Sequence, residues 1–137
     1  MGYHALAEVL GIDEPLDDLG LVEITRRGLP CEAIDSLAGQ LGVTANEMSR
    51  YLHVSHRTLV RNRGKILDMH VSDHVITVGR VFARSVELFQ SRDNATRWMK
   101  SPLLALGNVR PLDLLDTTTG AAMVLNILGR IEQGVYS

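Results

Sequence analysis

Residues 44–63 predict two short helices joined by a tight turn, and no other feature constrains the fold as strongly. Thr44 and Glu47 have the spacing of a capping box, in which two side chains satisfy free backbone N–H groups at a helix start. Ser55 is a suitable N-cap for the second helix, which we expect to reach about Arg63. This pattern is typical of a helix-turn-helix.

The rest of the chain also divides into helical pieces. Apolar residues recur every three or four positions over 33–41 and 75–89, which is the period of a helix with one buried face. Gly28 and Gly42 are suited to ending helices, and Ser72 is the predicted N-cap of a long helix. Because strand-like alternation is scarce, we predict an all-α fold.

The order of these pieces predicts three parts. Residues 1–27 form an N-terminal helical segment that is a candidate for dimerisation, and 28–70 form a helix-turn-helix DNA-binding domain. Residues 71–137 form a small C-terminal helical domain. Since no flexible Gly/Ser linker separates the parts, we expect them to pack directly on each other.

Composition limits the class of protein. A chain of 137 residues with 45% hydrophobic and 22% charged residues can bury a core, but is too short for a large multidomain enzyme. The single Cys31 cannot form an intramolecular disulfide, and no apolar run reaches membrane-spanning length. Acidic residues near the N-terminus interrupt any secretion signal. We therefore expect a cytoplasmic protein without membrane contact.

The formal net charge of −2 hides a strong asymmetry. Residues 1–47 carry nine acids and two arginines, whereas 48–100 carry ten basic residues and four acids. Between positions 50 and 65 there are five basic residues and no acid. Such a segment can supply the salt-dependent part of DNA affinity, although charged helices are often only solvated surface.

The helix-turn-helix geometry predicts which side chains face DNA. Met48, Leu52, Val54 and Leu59 have the spacing of inward-facing residues. The candidates for base edges are then Ser55, His56, Arg57, Val60 and Arg61, with Arg63 and Lys65 near phosphates. Operators are normally bound by dimers, so we expect a homodimer and operator DNA as partners.

The last predicted helix is more apolar than a surface helix requires. Ala121, Val124 and Leu128 face one side, while Met123 and Ile127 face another. The second side is either buried or kept for a partner. The chain then ends in Gly134, Tyr136 and Ser137, a tail that is frayed in most proteins but is suited to filling a partner's pocket.

Catalysis and metal binding are not predicted. His70 and His74 have metal-ligand spacing, but a helix start at Ser72 would place them on different faces. Asp113 and Asp116 are explained by helix capping. Because no phosphate cradle or nucleophile motif is present, we predict no enzyme activity and no cofactor.

Several segments carry a resemblance to a known family: 111–116 (PLDLLD), Gly120-Ala121, 128–137 (LGRIEQGVYS) and the turn region 52–63. Over about residues 28–137 the chain resembles Xre/MbcA/ParS-type antitoxins of RES-Xre toxin–antitoxin systems. His53 departs from the usual glycine of the turn, and Ser49 stands where alanine is common. These two departures concern DNA binding and not toxin binding.

The resemblance implies a cognate RES-domain toxin that destroys NAD, whose active-site entrance the antitoxin blocks. It also implies repression of the antitoxin's own operon through the helix-turn-helix. The residues expected at the toxin are Pro111, Leu112, Asp113, Met123, Ile127, Arg130, Glu132, Tyr136 and Ser137.

Two other functions stay open on sequence alone. The chain could be a plain transcription regulator in which Met123 and Ile127 pack against a second copy. It could also be a small helical enzyme that uses Asp113 and Asp116, for which no substrate can be named.

Overall fold

The computed structural model describes residues 3–134 and confirms the all-α prediction. Two single-turn 3₁₀ segments, Leu104–Leu106 and Pro111–Leu114, precede the last helix. Within the described residues the α-helices are α1 Tyr3–Leu10, α2 Asp18–Arg27, α3 Glu32–Leu41, α4 Ala45–Leu52, α5 His56–Arg61, α6 Met69–Phe89, α7 Arg92–Met99 and α8 Thr118–Glu132.

Helix α6 is the centre of the molecule. It is 21 residues long and packs against α1, α2, α3, α4, α7 and α8. Val75, Val78 and Phe82 are fully buried along it, and Val81 is buried on another side. Each such side chain contributes about 1.5–3 kcal/mol when it leaves water. A single hydrophobic core therefore runs through all three of the predicted parts.

The start of α6 differs from the prediction. Asp68 is the N-cap, and its carboxylate accepts the Val71 N–H at 2.8 Å. Ser72 lies inside the helix, where its buried hydroxyl accepts the Leu29 N–H at 2.9 Å. The prediction of Ser72 as N-cap was wrong because this side chain makes a tertiary bond and Asp68 satisfies the helix start instead.

The earlier start also corrects the argument about His70 and His74, which lie on the same helix four residues apart. His70 is exposed, whereas the Nε2 of His74 lies 2.8 Å from the Leu115 carbonyl oxygen. Among residues 3–134, no group of three or more His, Cys, Asp or Glu side chains could hold a metal ion.

Helix α1 joins the core through a close approach to α6. A Cβ placed on Gly79 of α6 would lie 3.1 Å from Leu10 Cδ2 and 3.2 Å from Leu6 Cδ1. The absence of a side chain at Gly79 thus lets α1 sit directly on the central helix. In the part of the chain that the structure describes, no helix has the length and apolar character needed to cross a membrane.

The start of α8 is packed against the segment before it. Thr117 is the N-cap, and its hydroxyl accepts the Gly120 N–H at 2.9 Å. A Cβ on Gly120 would lie 2.0 Å from the Leu114 carbonyl oxygen. Only glycine allows this approach, so Gly120 fixes the position of α8 on the 3₁₀ segment.

Gly120→Ala is expected to destabilise the protein by about 1–3 kcal/mol or more, because backbone atoms would have to move apart. Gly129→Ala on the same helix is the matched control, since the added Cβ would meet no atom within 4 Å outside the neighbouring backbone of its own helix. The control is expected to be neutral or stabilising by up to about 1 kcal/mol. Urea unfolding followed by circular dichroism measures both, and equal stabilities would contradict the packing argument.

Candidate functional site

Helices α4 and α5 form the helix-turn-helix that the sequence predicts. Both bonds of the capping box are present, with the Thr44 hydroxyl accepting the Glu47 N–H at 3.1 Å. The Ser55 hydroxyl accepts the Thr58 N–H at 3.1 Å and so begins α5. The inward-facing residues are buried as predicted, and they are Met48, Leu52, Val54 and Leu59.

The turn between the helices closes on a non-glycine residue. His53 has φ 57° and ψ 37°, which is the left-handed conformation that glycine adopts most easily. Its Nε2 lies 2.8 Å from the carbonyl oxygen of Asp116, which is distant in sequence. Sequence reasoning recognised the unusual residue in the turn but had no signal for this contact.

The end of α5 is tied to α3. The helix ends at Arg61, two residues earlier than expected, and Gly64 then turns the chain with φ 74°. The Gly64 N–H donates to the Glu32 carboxylate at 2.9 Å. This bond lowers the pKa of Glu32 because it favours the charged carboxylate. The turn that follows α5 is therefore held against α3.

The side chains predicted to face DNA are all exposed. Arg57, Arg61 and Arg63 form no ion pair with any carboxylate in residues 3–134. Ser55 is committed to capping α5, and Val60 is 48% exposed. These residues lie at the N-cap of α5, on α5 and in the turn after it, and they are Ser55, His56, Arg57, Val60, Arg61, Arg63 and Lys65. We call these seven residues the basic face, and its four Arg and Lys side chains favour contact with a polyanion.

The segment before α8 carries a bidentate ion pair. Arg110 Nε and Nη2 donate to the two carboxylate oxygens of Asp113 at 2.9 and 2.7 Å. The pair lowers the pKa of Asp113, chiefly through these bonds. The nearby Tyr51 of α4 is buried, and burial raises the pKa of its hydroxyl. The charges of Asp113 and Arg110 also act on this hydroxyl, so the pair lies near α4 of the helix-turn-helix.

The predicted toxin-contact residues divide into two groups. Pro111 and Leu112 are buried within this chain, and their contact with a toxin stays a prediction. The residues that do reach the surface are Asp113, Met123, Ile127, Arg130 and Glu132, of which Ile127 is half-buried. Glu132 pairs with Arg84 of α6, which holds the last turn of α8 against the central helix. Tyr136 and Ser137 lie outside the described residues.

The most exposed large apolar side chain among residues 3–134, that of Leu104, was not singled out from the sequence. Leu104 is 90% exposed at the start of a 3₁₀ turn. Leu103 and Val109 close this loop with an N–H to carbonyl bond of 3.1 Å. The leucine-rich composition of the loop was visible in the sequence, but not which leucine would point outward.

The fold and the two surfaces define a helix-turn-helix protein with an appended helical unit, and comparison with known proteins defines the family. Residues 20–76 match the family described as "Antitoxin Xre-like helix-turn-helix domain". Residues 84–134 match "Antitoxin Xre/MbcA/ParS C-terminal toxin-binding domain".

Curated relatives extend over most of the chain. An "Antitoxin Xre" of Photorhabdus laumondii is 33% identical over 118 residues, which are 83% of this chain and 79% of the relative. An "Antitoxin Xre" of Yersinia enterocolitica is 32% identical over 85% of this chain and 81% of the relative. A "Prs ADP-ribosylating antitoxin" of Sphingobium is 24% identical over 90% and 82%. The chain belongs to the Xre antitoxin family, as the resemblance predicted.

The Arg110–Asp113 pair predicts a pH-dependent contribution to stability. Because the pKa of Asp113 is lowered below its ordinary value of 3.8, the pair stabilises the fold above that pH, and the effect is lost as pH falls through the lowered pKa. Since Asp113 is 41% exposed, the contribution is at most about 1 kcal/mol.

Asp113→Asn should therefore lower the free energy of unfolding at about pH 6, with the difference from wild type shrinking towards about pH 3. Urea unfolding across this range measures the difference, and Arg110→Gln should show the same pattern. A difference that grows on acidification would show that the pair does not act as described.

Proposed function

We propose that this chain is an antitoxin that neutralises a RES-domain toxin which consumes NAD, and that it represses its own operon as a dimer in the cytoplasm. The observation that carries the proposal is the presence of two family matches side by side, each with its own exposed surface. The antitoxin itself performs no chemistry in this proposal; it acts by binding.

The basic face is the proposed operator surface. The start of α5 enters the major groove, where Arg57 and Arg61 reach base edges, because both are exposed on this helix without carboxylate partners among residues 3–134. Arg63 and Lys65 follow α5 and contact phosphates. Each phosphate contact releases counterions, so the affinity falls as the salt concentration rises.

Arg57→Ala and Arg61→Ala should each weaken operator binding by about 1–3 kcal/mol if they contact bases. Lys65→Ala should weaken binding to all sequences alike and reduce its salt dependence. Arg97→Ala on α7 is the control, since it removes an exposed arginine outside the helix-turn-helix match. Fluorescence anisotropy with operator fragments measures each affinity, and unchanged binding in the first two variants would remove them from the interface.

The toxin surface is proposed on α8, the segment before it and the tail. Met123 offers an exposed apolar contact, and Asp113, Arg130 and Glu132 are exposed charged residues on the same two segments. The Arg84–Glu132 pair holds the last turn of α8, which precedes the tail in the sequence, against α6. Tyr136 and Ser137 are proposed to enter the toxin's active-site entrance and block NAD.

A second chemistry for the toxin is suggested by the name of the Sphingobium relative, which refers to ADP-ribosylation. ADP-ribosyl transfer also takes its group from NAD, so occlusion of the NAD site would stop either reaction. Analysis of the toxin's products separates the two: transfer leaves ADP-ribose on a protein, whereas NAD breakdown leaves it free.

Removing residues 135–137 should abolish most of the inhibition while leaving the described fold and the Arg84–Glu132 pair intact. Tyr136→Ala in the full chain should lose part of it. The measurement is NAD consumption by the toxin with increasing antitoxin, and circular dichroism confirms folding. Full inhibition by the shortened protein would move the blocking element from the tail to α8. An absence of any toxin binding would instead favour a plain transcription regulator.

A further inference from the structure

His53 of the helix-turn-helix and His74 of α6 both contact the residues just before α8. His53 Nε2 lies 2.8 Å from the Asp116 carbonyl oxygen, and His74 Nε2 lies 2.8 Å from that of Leu115. Because a carbonyl oxygen only accepts, each imidazole donates through Nε2. The centroids of the two imidazole rings are 6.0 Å apart. Because the acceptors Leu115 and Asp116 are adjacent, the two bonds hold one short stretch of backbone.

The backbone of His53 shows what its side chain adds. At φ 57° a glycine would avoid the steric cost that a side chain brings. Within the turn itself, the His53 N–H donates to Arg50 and the Val54 N–H donates to Ser49, and both bonds are made by backbone atoms alone. The imidazole is therefore not needed to close the turn, and its partner Asp116 lies outside the helix-turn-helix.

The His53–Asp116 bond lies next to the starts of both functional helices. His53 stands two residues before Ser55, the N-cap of α5, and Asp116 stands one residue before Thr117, the N-cap of α8. His74 holds the neighbouring carbonyl on the central helix. The His53–Asp116 bond thus connects the residues that precede the two helices.

We propose that His53 is a positioning residue that couples the two surfaces, so that occupancy of the basic face orders the start of α8, and a partner on α8 raises affinity for DNA. The toxin half of this inference rests on the proposed function. Binding at either end immobilises the shared stretch, so the second partner has less conformational freedom to remove. The coupling factor is the same in both directions by linkage.

His53→Gly tests the coupling, because glycine keeps the left-handed backbone and removes only the imidazole bond. Gln90→Gly is the matched control: Gln90 has φ 55° at the C-terminal end of α6, away from this bond. Hydrogen exchange of the amides of residues 118–122 is measured with and without a short DNA duplex of arbitrary sequence at low salt. This first experiment needs no toxin.

DNA should slow this exchange several-fold in the wild type and in Gln90→Gly, and leave it unchanged in His53→Gly at equal saturation with DNA. The same slowing in His53→Gly, or none in the wild type, overturns the proposal. A loss of fold alone would raise exchange with and without DNA, so it would not imitate the expected result.

The second experiment adds a catalytically inactive RES-domain toxin and measures the ratio of DNA affinities with and without it. The ratio should exceed about fivefold in the wild type and approach one in His53→Gly. An unchanged ratio in His53→Gly, with toxin neutralisation intact, would reject the coupling and keep the proposed function. If the wild type binds no toxin, the proposed function fails, while the first experiment still decides the role of His53.

Discussion

Burial of helix α6 on nearly all of its sides is the constraint on which the other elements depend. Six helices pack against it, and the fully buried Val75, Val78, Val81 and Phe82 occupy more than one of its faces. A helix that is apolar around most of its circumference must lie inside a domain. Neither the helix-turn-helix nor α8 therefore has a core of its own, and each takes its position from this shared strut.

Local polar bonds then give the basic face its shape. The serine cap begins α5, and the bond from Gly64 to the Glu32 carboxylate holds the end of the segment to α3. These bonds are made by the Ser55 hydroxyl and the Gly64 N–H. The arginine side chains of the basic face take no part in them and are exposed. Because an ordered helix already holds the backbone of these residues in place, less conformational entropy is lost when the surface binds a partner.

The parts of the fold that could be predicted from the sequence are those determined within a few residues. The caps at Thr44 and Ser55 were predicted correctly, because each needs only its own side chain and an N–H three residues on. The start of α6 was not, since Asp68 and Ser72 are both good caps and the bond from Leu29 to Ser72 decides between them. That bond joins residues far apart in the chain.

The same limit applies to the candidate sites. Exposure of the basic face followed from helical spacing, whereas the burial of Leu112 depends on how the 3₁₀ segment lies against α8 and α7. Within its own turn, His53 is only a less favourable residue than glycine for a positive φ. Its side-chain partner is Asp116, which is distant in the sequence. Spacing rules hold no information about such contacts.

The helix-turn-helix match ends at residue 76, and the match to the C-terminal domain begins at residue 84. Both positions lie inside α6, which spans Met69–Phe89. A chimera of two relatives would have to be joined within a helix whose opposite sides face different neighbours. Recombination between diverged genes would thus leave mismatched side chains on one side of the junction. The proposed specificities for an operator and for a protein partner are consequently expected to be inherited together in this architecture.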